Sequence, residues 1–395
     1  MGTATAGVAE QLARWATELN PSAEDLALAR RALIDTAGVM FAAREHPLAP
    51  VFGELPEAGR WAALAHVLDY DDLHLPSTTH ISAVCVPVAL SVAGEDPARA
   101  YRAGAGVMAR LGTALGWRHY SAGWHATCTA GAPAAAATAA IARGLDADAT
   151  TRAIALAVPA AGGVQRAFGT AAKSLQVGFA ADAGVRAAAL AAAGASADAG
   201  ALEQWMALVG GDPGAVVRRA GGPAVPGGLA IKPFPCCYAL QRPIAALADL
   251  GPARPAADRV RRISVRTPAA SLAPLIHHAP RTGLEGKFSL EYGVAAALLD
   301  GRPGFDSFSD DAVRRPEAAR LMKAVEVAAT DGGDHLLTGE VEIEIDDVRA
   351  ALVLPPGAPE RPMTDAELRA KLELCGAGDL AELSWGSAAQ FLRQI

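Results

Sequence analysis

Fourteen residues, Asp69 to Ser82 (DYDDLHLPSTTHIS), gather three carboxylates, two histidines and several hydroxyls beside the apolar run Ala83 to Ala93. A segment this polar next to so apolar a helix suits the mouth of a cleft, where side chains face a ligand. Three further islands share its character: GWHATCTAG (Gly123–Gly131), KSLQVG (Lys173–Gly178) and KPFPCC (Lys232–Cys237). His80 and His125 stand in small, hydroxyl-rich surroundings at predicted helix starts, where an imidazole titrates near neutral pH and exchanges protons with a substrate. A histidine taken singly is more often structural; the shared context argues for catalysis. ATCTAG opens a helix after His125, and the free N–H groups of that first turn would attract a carboxylate.

Lysine is scarce in this chain, which prefers arginine, yet Lys173 and Lys232 are kept in two of the islands. A compact ammonium suits carboxylate binding and becomes a proton donor when burial lowers its pKa. The bland alternative for any one lysine is a solvated surface group. Asp69, Asp71, Asp72, His74 and His80 offer the ligand types of several divalent ions, although adjacent acids serve equally well as caps and internal acceptors. Cys236 and Cys237 are reactive candidates whose ordinary role is packing. Tyr292, in EGKFSLEYG, is a phenolic proton donor or a packing residue.

The elements that must position these groups change character along the chain. Ser22 and Asp25 form a capping box ahead of Leu26, Leu33, Ala37 and Met40 on one helical face. Alanine-rich stretches at about 83–94, 98–116, 131–143, 148–160 and 176–193 continue the helical pattern, and small side chains let such helices pack closely. The Gly- and Pro-rich stretch Gly210–Gly228 is a predicted linker or surface loop. After it, ADRVRRISVRT, KAVEVAAT and EVEIEIDD alternate as half-buried strands, with helices near 235–249 and 289–300. Thr364 and Glu367 form a second capping box ahead of a terminal helix. The expected fold is mainly α: a large all-helical domain over 1–228, a smaller α+β lid domain with an antiparallel sheet over 229–355, and C-terminal helices over 356–395 returning to the helical domain.

At 395 residues and 51% hydrophobic, the chain is long enough for two buried cores. Net charge of −7 with no basic tract argues against nucleic acid, and charges or glycines interrupt every run that could span a bilayer, so a cytoplasmic protein without a membrane partner is expected. Five cysteines, odd in number and without CxxC spacing, argue against a disulfide framework or a structural zinc site.

Taken in order, LDYDD…TTH, GWHATCTAG, the lysine of KSLQVG, KPFPCC and KFSLEYGVAAALLDG resemble the MmgE/PrpD family, from about residue 8 to past residue 330. The resemblance implies an active site between a helical domain and a lid, a homodimer, and catalysis without metal or cofactor. It places Asp69, His80, His125, Lys173 and Lys232 at active-site positions, with Tyr292 a weaker candidate. Three positions depart from family patterns: Leu73 stands where the decarboxylase branch has threonine, Cys237 where that branch has histidine, and Gln176 where a histidine is often found, so the pocket has lost polar or basic groups that could hold a tricarboxylate. The stretch between Met40 and Trp61 also looks abbreviated.

The implied chemistry is stabilisation of a carbanion, or its aci-acid form, next to a carboxylate. The expected function is a metal-independent lyase that eliminates water from a small hydroxy-carboxylate. Lys173 and Lys232 would bind its carboxylates, with Cys237 and Gln176 lining the same pocket. One of His80 and His125 would remove the proton and the other protonate the leaving hydroxyl, with Asp69 orienting His80. Decarboxylation, epimerisation, metal-dependent hydrolysis and ligand binding without turnover remain as alternatives.

Overall fold

The computed structural model describes residues 6–217, 222–331, 335–336 and 339–394; Arg218–Gly221, within the predicted linker, fall outside them. The longer helices are α1 (Val8–Glu18), α2 (Ala23–Ala43), α3 (Glu57–Val67), α4 (Ile81–Ser91), α5 (Pro97–Ser121), α6 (Ala126–Ala142), α7 (Ala147–Ala157), α8 (Ala171–Ala192), α9 (Ala201–Leu208), α10 (Gln241–Asp249), α11 (Leu290–Asp300), α12 (Pro316–Ala324), α13 (Asp365–Leu374) and α14 (Trp385–Leu392). Strands β1 (Ile263–Pro268), β2 (Val325–Thr330), β3 (Val341–Ile345) and β4 (Val348–Leu352) form one sheet. The protein is mainly α, and both capping boxes form, Ser22 with Asp25 and Thr364 with Glu367. Among the described residues no helix is long and apolar enough to cross a membrane.

Alanine sets how closely the helices pack. Every residue of α6 from Ala126 to Ile141 is buried, ten of them alanine or glycine, so α4, α5, α7 and α8 all pack against it. Glycine brings α3 and α8 closer still. A Cβ on Gly178 would lie 2.8 Å from the Gly59 carbonyl oxygen, and one on Gly59 would lie 2.2 Å from Asp182 Oδ2. That approach sets His66, at the end of α3, beside Lys173, at the start of α8. One apolar core spans these helices and takes in Cys375, Leu380 and Leu392 from the C-terminal segment. A second core contains Phe234, Leu240, Ile263, Val265, Phe288, Ile343 and Ile345.

The sheet differs from the expected antiparallel one. Its order is β2-β1-β3-β4, and β1 pairs in parallel with β2 (Ile263 opposite Val325, Val265 opposite Val327) while β1–β3 and β3–β4 are antiparallel. The chain between β1 and β2 carries α11 and α12, a helical crossover that returns it to the end from which β1 started. β3 alternates as expected, with Val341, Ile343 and Ile345 inward and Glu342 and Glu344 outward. β2 does not, because it is an edge strand and Val327 is 38% exposed. Strand β4 was not anticipated, nor was α3, which falls partly in the stretch read as abbreviated. The helix expected from 235 is a 3₁₀ turn at Tyr238–Leu240 leading into α10.

Candidate active site

Three helices begin at one cavity. His80 is the N-cap of α4, His125 the N-cap of α6, and Lys173 the third residue of α8 after the Thr170 cap. Neither histidine caps its helix with its own side chain, so each imidazole is free to face the cavity. The positive ends of three helix dipoles thus meet at the cavity, a setting that favours an anion. The cavity is lined by Asp69, Thr78, His80, Tyr120, His125, Thr127, Phe168 and Lys173 from the helical side, and by Cys237, Tyr238, Phe288 and Leu336 from the other.

Asp69, Lys173, His66, Asp71 and His80 form a continuous polar chain. Lys173 Nζ donates to Asp69 Oδ1 at 2.7 Å and to His66 Nε2 at 2.6 Å. His66 therefore carries its proton on Nδ1, which lies 2.7 Å from Asp71 Oδ2. His80 Nδ1 approaches the same oxygen at 3.0 Å, off the line of an ideal hydrogen bond. On the other flank, Cys128 Sγ lies 3.1 Å from His125 Nδ1. No described residue hydrogen-bonds the Nε2 of His80 or of His125. The rings pack together, with His66 4.7 Å from His80 and 5.6 Å from His125, and Phe168 is edge-on to His125 at 5.1 Å.

Burial and charge set the protonation states. Burial alone would raise the Asp69 carboxyl, but Lys173, Lys232, His66 and Lys287 outweigh it and hold Asp69 below the usual carboxylate value. Burial opposes ionisation of Asp71 too, yet His80, His66 and Lys232 hold it well below. Burial, the main cause, pushes His80 down to about 3 despite Asp71, and lowers His66 and His125 as well. All three imidazoles are neutral at physiological pH. Burial raises the Cys128 thiol, which stays protonated and is a donor toward His125 Nδ1.

Several expectations change on this geometry. Asp71, not Asp69, faces His80, and Asp69 instead pairs with Lys173. Lys232 does not line the cavity; it is fully buried behind Asp69, donating to the Asp69 carbonyl at 2.9 Å and lying 3.8 Å from Asp71 Oδ1. Tyr292 does not line the cavity; its hydroxyl is bound to the Ser307 carbonyl and its ring packs near Phe308. Gln176 is not in the lining either: its Oε1 accepts from the Val164 amide at 2.5 Å and pins the loop before α8. Cys237 is in the lining, with its thiol pushed up to about 11 by burial.

The five residues read as metal ligands do not converge. Asp72 accepts from the Ser82 amide, and His74 bonds Ser77 Oγ and the Pro226 carbonyl. His66, Asp71 and His80 do bring ligand atoms within 4.8 Å of one another. Lys173 and Lys232 stand against that cluster, and their charge opposes a cation there. Sequence reading missed His66, whose helix EAGRWAALAHV looks like ordinary core, and Lys287, whose Nζ donates to the Leu68 and Pro235 carbonyls at 2.7 Å each.

Residues 57–209 match the MmgE/PrpD N-terminal domain, and residues 234–384 match the MmgE/PrpD C-terminal domain. The chain is also similar to two cis-aconitate decarboxylases of Aspergillus terreus, one of them from strain NIH 2624 / FGSC A1156. Each is 26% identical over 326 residues, which is 72% of this chain and 66% of theirs. The chain thus spans just under two thirds of the length of these relatives.

Proposed function

Since the chain belongs to the MmgE/PrpD family, we propose that it is a lyase that eliminates water from a small hydroxy-carboxylate through a carbanion or aci-acid, without a metal. One observation carries the reading: two imidazoles, with Nδ1 beside Asp71 for His80 and beside Cys128 for His125 and with Nε2 unengaged by described residues, line the same cavity as Lys173 at the start of three helices. Elimination of water needs a base and an acid at once. A single proton donor would serve decarboxylation.

The Nδ1 partners distinguish the two histidines. His80 turns Nδ1 to the Asp71 carboxylate, which leaves Nε2 unprotonated and stabilises the imidazolium formed when it takes the substrate proton. His125 has only a thiol behind it. A bound dicarboxylate supplies the missing negative charge, so His125 takes up a proton as substrate binds and delivers it to the departing hydroxyl. Lys173 and the three helix ends hold the carboxylates and the developing enolate charge. Lys232 contributes from behind Asp69 and Asp71 rather than by contact. The cavity measures about 30 Å³, room for one water, so substrate entry requires the two cores to part.

Decarboxylation is the second reading, favoured by the activity named for the Aspergillus terreus relatives. A homodimer is proposed with either: Phe179 and Leu190 are 55% and 49% exposed on one face of α8, and light scattering tests it. The deciding experiment incubates chelator-treated protein with 2- and 3-hydroxy di- and tricarboxylates and unsaturated acids in deuterated water, with His80→Ala and His125→Ala alongside. Loss of water that vanishes in both variants is expected; loss of CO₂ selects the second reading. Activity abolished by chelation and restored by one divalent ion would overturn both.

A further inference from the structure

The chain has five lysines, and four of them, Lys173, Lys232, Lys287 and Lys371, are buried. All four ammonium groups end on one turn. Lys287 donates to the Leu68 carbonyl at 2.7 Å, Lys232 to the Asp69 carbonyl at 2.9 Å and Lys371 to the Tyr70 carbonyl at 2.7 Å, while Lys173 holds the Asp69 carboxylate. Three consecutive carbonyls are thus each taken by a different lysine, from the segment after Leu229, from the loop before α11 and from α13. Lys371 is itself fixed by Asp35 Oδ1 at 2.6 Å and lies 4.0 Å above the Tyr70 ring.

The turn they grip is unusual. Asp69 has φ = 53°, in the left-handed region that residues other than glycine seldom occupy and that persists only where the surroundings over-determine it. α3 has ended at Val67, so these carbonyls lack helical partners. Charged donors make stronger hydrogen bonds than neutral ones. From Asp69 the contacts run through Lys173 and His66 to Asp71 and His80, so a displaced turn displaces the base.

We propose that Lys287 and Lys371, neither of which lines the cavity, are positioning residues for the reaction. With Lys232 they clamp the Leu68–Tyr70 carbonyls, keep Asp69 left-handed and so hold the Lys173–His66–Asp71–His80 chain in register. The link to turnover rests on the lyase reading; the clamp itself does not.

The test is the full-length double variant Asp35→Asn/Lys371→Met, which removes the ammonium without stranding a buried carboxylate, beside Lys287→Met and a control at the exposed Lys323, Lys323→Met. Hydrogen exchange read by mass spectrometry should rise about tenfold or more over residues 64–73 in the first two, with α6 and α8 unchanged. In the same variants kcat should fall roughly 10- to 100-fold with KM within about threefold, since small misplacement of a positioned group costs that much. Unchanged exchange at 64–73, or a rise spread evenly over the chain, overturns the clamp. If the double variant does not fold, Lys287→Met gives the same decision. If wild type turns over none of the acids, the lyase reading fails while the exchange result still decides the clamp.

Discussion

Asp71 and Asp72 are consecutive and both entirely buried, yet they sit on opposite sides of one loop and in opposite electrostatic states. In front, Asp71 faces His66, His80 and Lys232, and its carboxyl is held well below the usual range. Behind, Asp72 has one amide, that of Ser82, at 3.2 Å; its Oδ2 has no hydrogen-bond partner among the described residues, and burial pushes the group up to about 7. Asp35, also behind, is raised by burial in spite of Lys371. Burial is common to all three acids. What separates them is the number and charge of donors, so one side of the loop keeps an anion and the other keeps an acid that holds its proton up to about pH 7.

The largest way to break this comparison is to remove the front charge. Asp71→Asn should lower kcat about 10³-fold, in the range for losing the group that orients a catalytic imidazole. Asp72→Asn should lower it less than about tenfold, because Asn still accepts from the Ser82 amide. Equal losses at the two positions would mean that the loop acts only as a fold element.

Stability should show the reverse asymmetry. Asp72 titrates at about 7 in the folded chain and near 3.8 unfolded. The native state therefore binds the extra proton between those values, and the stability it contributes is fully present below the unfolded pKa and lost as pH rises through 7. Asn has no proton to lose. Chemical denaturation should find Asp72→Asn gaining on wild type by about 4 kcal/mol between pH 4 and pH 8. A gap that stays constant with pH would show that Asp72 is ionised in the native protein.

The front side should also register ligand charge. Calorimetry in buffers of different ionisation enthalpy should find uptake of about one proton per dicarboxylate bound near pH 7, abolished in His125→Gln. Binding without uptake would remove His125 as the acid. The smallest effect is expected at Cys128→Ala, which takes the thiol from His125 Nδ1 and should cost about tenfold in kcat with KM nearly unchanged.

How legible this was from residues follows the same division. His80, His125, Asp69 and Lys173 stood out because polar groups beside alanine helices have few structural reasons to be there, and the structure brings them to one cavity. The scarcity of lysine that singled out Lys173 and Lys232 applied equally to Lys287 and Lys371, but those two sit in amphipathic surroundings (EGKFSLEYG, AELRAKLEL) where a solvated lysine is ordinary. His66 was hidden by the regularity of its own helix. Tyr292 was chosen for its chemistry, whereas its position is set by packing. Periodicity identified β1, β2 and β3, but strand direction depends on how the crossover between β1 and β2 returns, which no local pattern encodes.

The order of the four buried lysines along the chain has a consequence for synthesis. Lys371 follows Tyr70 by 301 residues, a separation at which contacts form late. A nascent chain thus displays His80 and His125 long before Asp69 can be set. The proposed catalytic centre is completed only once the segment around Lys371 has been made, and shorter fragments carry its histidines without the clamped turn.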